Sequence, residues 1–389
     1  MANLNTGSAR VRMKNIKLKS GDFPLVLITM GLVIFGIIMV FSASYYYSLS
    51  HDGTPFSYLK KNVMWAVLGT GLMMFMAVFD YRKLRKFAVP IIIISGFLLI
   101  LVLVPGIGIV RNSASRWLGV GSFTIMPGEI AKLAVIIFVA AYFSTRPGRI
   151  LSVKEGILPM LLLCGIFGGL IMRQPNLSTA ITLVAIVLVM MLVAGMEWKY
   201  LGGATLVGIA GLLAILTVGR HTFWYDRITS FTDPFKDALG EGFQVTQSLM
   251  ALGSGGLFGL GLGKSIQKNL YLPEPQNDFI LAIIGEELGY IGVIILLLVY
   301  MLLIWRGLHI AINATDQFGM LLATGITAMI GIQVILNIAV VTSSMPPTGI
   351  ILPFVSYGGN ALMIFMGSIG ILLNISRHKD VTAVSGERI

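Results

Sequence analysis

Residues 23–44, FPLVLITMGLVIFGIIMVFSAS, run on without a charged side chain. A helix of that length crosses a hydrocarbon layer about 30 Å thick. No small-residue cleavage site follows a short apolar core, so the block reads as an anchor and not as a removed signal peptide. The rest of the chain repeats the theme: of its 389 residues 56% are apolar and only 12% charged. Further blocks stand near 60–79, 87–105, 129–145, 157–172, 179–195, 199–217, 279–305, 317–342 and 354–376. These continuous runs exclude a β-barrel, which needs short alternating segments. The expected fold is therefore all-α and polytopic, with ten transmembrane helices.

Charge orients the bundle. Seventeen of the 28 basic residues fall on one side, in 1–22, around 82–86, in 146–154, at Lys199 and Arg306, and after 376. The short loops opposite carry only Lys60, Lys61, Arg111, Arg116 and Arg173. Both termini are expected in the cytoplasm, with 1–22 and 377–389 as basic tails to a membrane domain over 23–376. The net charge of +11 requires no nucleic acid, because basic residues beside spans meet anionic headgroups. One connection is far longer than an ordinary loop: 218–278, an extracellular segment between helices 7 and 8. Its apolar, Gly-rich part, FQVTQSLMALGSGGLFGLGLG (243–263), reads as a short helix with glycine turns beyond it. Cys164 is alone, and His51, His221, His309 and His378 share no ligand spacing, so no metal site is assigned.

Polar groups in such a chain are expensive, and each invites a function. Glu129 and Lys132 share a helical face, as a local ion pair or as a cation aimed at an anionic substrate group with its orienting carboxylate. Arg116 offers a fork for phosphate or sugar oxygens, and Trp117 a flat apolar surface. Asp278 opens the eighth span, where a carboxylate either caps the helix or serves as a general base. Glu286 and Glu287, about 12 Å further on, suggest structural hydrogen bonding before proton handling. Gln174 lies in a polar hinge between spans 5 and 6. Ser356 and Tyr357 either donate to substrate or pack a Gly- and Pro-rich entry to the last span.

These residues lie in motifs that resemble the SEDS family (shape, elongation, division and sporulation) from Asp22 to Arg377. They are FSAS (41–44), NSASRWLGVGSFTIMPGEIAKLA (112–134), RQPNLSTA (173–180), LPEPQNDFILAIIGEELGYIG (272–292) and PPTGIILPFVSYGGN (346–360). The resemblance implies a bacterial cytoplasmic-membrane glycosyltransferase that polymerises lipid II, an undecaprenyl-linked precursor of peptidoglycan. It places the family's essential aspartate on Asp278 and its Arg-Trp and Glu-x-x-Lys features on Arg116, Trp117, Glu129 and Lys132. It also implies a class B penicillin-binding protein as transpeptidase partner, beside other division or sporulation membrane proteins. The chain departs from the family at Gly128, Asn176 and Asn360, where serine, aspartate and serine are usual. FSAS and the long basic N-terminus look more like the division or sporulation branch than the elongation branch.

The chemistry implied is β-1,4 transfer with inversion, for which one positioned carboxylate suffices. Arg116 and Lys132 would hold the departing pyrophosphate, with a divalent cation (Mg2+ or Mn2+) as a candidate aid. The alternatives are a lipid II flippase, which would favour a midplane site, and a noncatalytic divisome scaffold.

Overall fold

In hydrocarbon every backbone N–H and C=O must be bonded inside its own segment, so the apolar blocks become helices. The computed structural model describes residues 21–111, 114–120, 123–203, 235, 240 and 242–378. In chain order the helices there are α1 (Phe23–Asp52), α2 (Ser57–Val78), α3 (Arg82–Val102), α4 (Pro127–Thr145), α5 (Leu158–Met172), α6 (Leu177–Val193), α7 (Phe243–Gly255), α8 (Ile280–Ile312), α9 (Gln317–Val341) and α10 (Asn360–Arg377). Eight helical stretches among the described residues are long and apolar enough to span a membrane, with α5 counted from Val153. The chain is thus a polytopic membrane protein. Nine of the ten expected spans coincide with helices, including α6 at 17 residues. The seventh, 199–217, lies outside the described residues beyond 203, as do residues 1–20, most of 218–241 and 379–389.

Side chains fix where the helices begin. Asp22 caps α1 through the Leu25 N–H at 3.1 Å, Asn176 caps α6 through Thr179 at 3.3 Å, and Asp316 caps α9 through Gly319 at 2.8 Å. Helices α4, α9 and α10 form the buried centre, while α2, α3 and α8 each leave a face outward. The approach of α2 to α10 depends on small residues: a Cβ on Gly370 would stand 2.3 Å from the Met73 carbonyl oxygen.

At the end of the bundle where α1 begins, the elements are tied by polar contacts. Asp22 pairs with Arg306 at 3.7 Å, and Asn374 accepts from the Tyr81 N–H and donates to the Ala77 carbonyl, each at 3.0 Å. Asp316 pairs with Arg82 at 3.3 Å and accepts from the Tyr81 hydroxyl.

At the opposite end, helix gives way to other structure. Among the described residues, β1 (Gly108–Arg111), β2 (Ala114–Val120) and β3 (Phe123–Ile125) form a small antiparallel sheet, in that order. Its Ile, Val, Trp, Phe and Thr side chains suit a pleated surface, and the ladder pairs the backbone groups that no helix satisfies here. Ile109 pairs with Trp117 and Val110 with Ser115, so Arg116 is the extra residue of a β-bulge.

The long connection returns through α7, which packs on α8, followed by turns at Gly256–Gly263. Helix α8 is broken at Gly289, whose φ is +70°. The backbone groups on either side of the break are paired by the 256–261 segment: Tyr290 and Ile291 donate to Gly256 and Leu257, and Leu260 and Gly261 donate to Glu286 and Glu287, at 2.9–3.1 Å. A Cβ on Gly289 would lie 2.3 Å from the Gly259 nitrogen, which leaves room only for glycine.

Candidate active site

The bulge in β2 turns Arg116 inward across the bundle end. Its Nε donates to the Gln174 carbonyl at 3.3 Å and its Nη2 to that of Pro175. Gln174 is itself buried and donates from its amide to the Leu99 carbonyl at 3.0 Å, so the polar hinge before α6 is anchored on α3. The remaining nitrogen, Nη1, faces Gly349. A Cβ at Gly349 would sit 3.4 Å from it and 3.1 Å from Asp278 Oδ2. Residues 162 positions apart thus converge on one glycine, and a larger residue there would meet both charged groups. Bulges are a common device for re-aiming a side chain of this kind.

Asp278 immediately precedes Phe279, the N-cap of α8. Its carbonyl is held by Asn337 Nδ2 at 2.8 Å, and the same amide donates to the Ile350 carbonyl at 2.6 Å. Asn337 therefore staples the start of α8 to the segment that carries Gly349. Tyr357 continues the link, with its N–H on the Gln276 carbonyl at 2.9 Å and its ring 4.9 Å from that of Tyr58. Ser356 is buried and accepts from the Leu352 N–H at 2.8 Å, a contact that closes its own turn.

Glu129 and Lys132 lie in the first turns of α4, both buried, 2.8 Å apart. The Lys132 ammonium also stands 5.8 Å from the centre of the Phe365 ring. Asn360 sets the position of this helix start by accepting from the Met126 N–H at 3.0 Å and donating to its carbonyl at 3.5 Å. The departure from the family's serine thus makes a two-point bridge from α10 to α4. At Gly128, a Cβ would meet Thr179 at 3.2 Å and Asn176 Nδ2 at 4.0 Å, so two further departures lie side by side.

Buried polar atoms without a hydrogen-bond partner gather at this end. Among them are Glu129 Oε2, both amide atoms of Gln276, Asn277 Oδ1, Asn337 Oδ1 and Thr348 Oγ1. Buried polar groups are normally satisfied, so this cluster makes the Asp278 end the candidate place for polar atoms of a ligand. Trp117 is half-buried beside Arg116 on the sheet.

Sequence reasoning did not single out Asn337, Lys268 or Ser42. Asn337 was discoverable as a carboxamide inside an apolar span. Lys268 gave no signal in the long connection, yet it is buried and pairs with Glu287 at 2.7 Å. Ser42, from FSAS, donates to Glu287 at 2.7 Å, and Lys268 donates to Ser42 at 3.0 Å. Glu286 accepts from Ser265 at 2.5 Å and from the Ile266 N–H at 2.8 Å. Both glutamates therefore lock the connection onto α8 by hydrogen bonding. Among the described residues no three His, Cys, Asp or Glu side chains converge as a metal cage.

Comparison with known proteins gives concordant matches. Residues 23–381 fit the family model of the cell cycle proteins FtsW, RodA and SpoVE. Stage V sporulation protein E of Bacillus subtilis is 44% identical over 362 residues, 93% of this chain and 98% of that protein. A probable peptidoglycan glycosyltransferase FtsW of Geobacter sp. is 40% identical over 358 residues, 91% of this chain and 96% of that one. Among solved structures, a chain from a peptidoglycan synthase complex superposes with a TM-score of 0.77 at 28% identity, covering 93% of this chain and 99% of its own.

Proposed function

Because the chain belongs to the FtsW, RodA and SpoVE family of cell cycle proteins, also called SEDS, we propose that it polymerises lipid II into β-1,4-linked glycan strands at the outer face of the bacterial cytoplasmic membrane. The observation that carries this reading is the convergence of Asp278 and Arg116 over Gly349 at one end of the bundle. In a single inverting displacement, the Asp278 carboxylate takes the proton from the 4-hydroxyl of the incoming N-acetylglucosamine. That oxygen attacks the anomeric carbon of the N-acetylmuramyl residue, and the pyrophosphate leaves with the bonding electrons. Arg116 orients the carboxylate, and with Lys132 it supplies positive charge toward the leaving group. Glu129 holds Lys132, Trp117 gives a sugar a flat face, and Gln174 with Ser356 keeps the walls in place. Tyr357 offers its hydroxyl from the same wall. Among the described residues no three His, Cys, Asp or Glu side chains gather to hold a Mg2+ or Mn2+ ion; one carried by the precursor's own pyrophosphate oxygens and waters would neutralise the leaving group, while Asp278 keeps its role as the base.

We take the bundle to have ten spans, both termini in the cytoplasm and the 218–278 connection outside, which would put Asp278 where polymer is needed. Similarity to a chain of a peptidoglycan synthase complex supports association with a transpeptidase-type partner, which we take to be a class B penicillin-binding protein. FSAS and the basic tail favour the division or sporulation branch. A flippase would favour a midplane site, whereas the candidate residues gather at one end. Incubating purified protein with labelled lipid II tests the choice: a ladder of glycan strands is expected. Transport across vesicles without strands would favour the flippase, and neither activity a scaffold.

A further inference from the structure

A second site lies at the bundle end away from Asp278. A cavity of about 850 Å3 opens there between the beginnings of α3 and α9 and the end of α4. Four cations line it, Arg82, Arg85, Lys86 and Arg149, against one carboxylate, Asp316. That carboxylate is already engaged: it caps α9, pairs with Arg82 and accepts from Tyr81. Burial pushes its pKa up, but the hydrogen bonds from Tyr81 and Gly319 and the neighbouring Arg82 outweigh burial and hold it below the ordinary value. It therefore stays ionised and paired at neutral pH. Arg85, Lys86 and Arg149 have no carboxylate partner among the described residues; Arg85 donates to Thr145 at 3.3 Å, and Arg149 stacks 4.7 Å from the Tyr142 ring.

The cavity is amphipathic along its depth. Val89 lies seven residues beyond Arg82 on α3, and Phe138 seven residues before Thr145 on α4. Each is therefore roughly 10 Å nearer the membrane centre than the cationic rim. Both line the cavity, and its α3 side lies open beyond the rim, with Val89 54% and Ile93, one turn further on the same face, 65% exposed. A soluble anion would use only the rim. A molecule with an anionic head and apolar tails would use the rim, the floor and the open flank together. From this geometry we propose that the cavity binds the headgroup and first acyl carbons of an anionic phospholipid. Basic pockets between spans are suited to that role. The occupant differs in place from the glycan precursor proposed at Asp278, and the inference stands without that reading.

The test is native mass spectrometry of the full-length protein released from vesicles holding equal phosphatidylglycerol and phosphatidylethanolamine. Wild type is expected to retain phosphatidylglycerol preferentially. R85Q/R149Q should lower that retention by about 25-fold, from roughly fivefold for each cation removed. R85K/R149K should keep it, and so should K83Q, whose lysine sits over the Phe79 ring outside the cavity. Gel filtration of each variant separates lost binding from lost fold. Three results would overturn the inference: equal retention of the two lipids by wild type, undiminished retention by a folded R85Q/R149Q, or displacement of the lipid by millimolar inorganic phosphate. None of these results depends on polymerase activity, so failure here leaves the proposed reaction untouched.

Discussion

Glu129 and Lys132 show what a single charge costs in this environment. The pair is buried, with 2.8 Å between the two groups, and removal of one partner strands the other without solvent. Such losses are about 3–5 kcal/mol, whereas replacing both with apolar or neutral groups is often neutral. E129A and K132A should each lower the melting temperature and abolish glycan synthesis. E129Q/K132M should melt near wild type yet remain inactive if the ammonium serves the pyrophosphate; full activity in that double variant would reduce the pair to a structural contact. The spacing of this pair was legible in the sequence, because three residues on a helix decide it. The meeting of Arg116 with Asp278 was not, since it depends on a bulge in a strand and on a glycine in a third segment.

Among elements, the apolar helices were legible because hydrocarbon permits little else. The sheet at 108–125 was not: three strands of 3–7 residues lack a pattern that outlasts ordinary loop variation. The helix within 243–263 and its glycine turns were expected, but the lock made by Lys268 was hidden, because a lone lysine in a long connection looks solvated. The break in α8 offers a direct check on that element. In G289A the new Cβ meets the Gly259 backbone at a positive φ, so a fall in melting temperature and a loosened 256–261 segment are expected, the latter read by hydrogen exchange. The cap of α9 gives a second. Asp316 titrates below its ordinary value of 3.8 in the folded chain, so its contribution is complete above that value and is lost as pH falls through the lower folded one. D316A should cost about 1 kcal/mol at neutral pH, and the deficit against wild type should shrink under acid; an unchanged deficit would show that the carboxylate is not the source.

The whole molecule is a polarised bundle, with ion pairs among termini and turns at one end and the Asp278 region at the other. The one-sided distribution of basic residues in the sequence is the ground for expecting the end where α1 begins to face the cytoplasm. Single cysteines at positions 83 and 150 should stay shielded from an impermeant thiol reagent in intact cells, while one at position 52 should label. The reverse pattern would put Asp278 on the cytoplasmic side. A transpeptidase partner with one membrane helix is expected to co-purify and to raise strand synthesis, and absence of both effects would remove it from the account. The role of Asp278 is read most directly by comparing purified wild type with D278N on labelled lipid II, after gel filtration has shown both to be folded. The proposed general base requires at least the roughly 10²-fold loss of strand synthesis that follows removal of an acid–base group. A D278N protein that builds glycan strands at nearly the wild-type rate would contradict it.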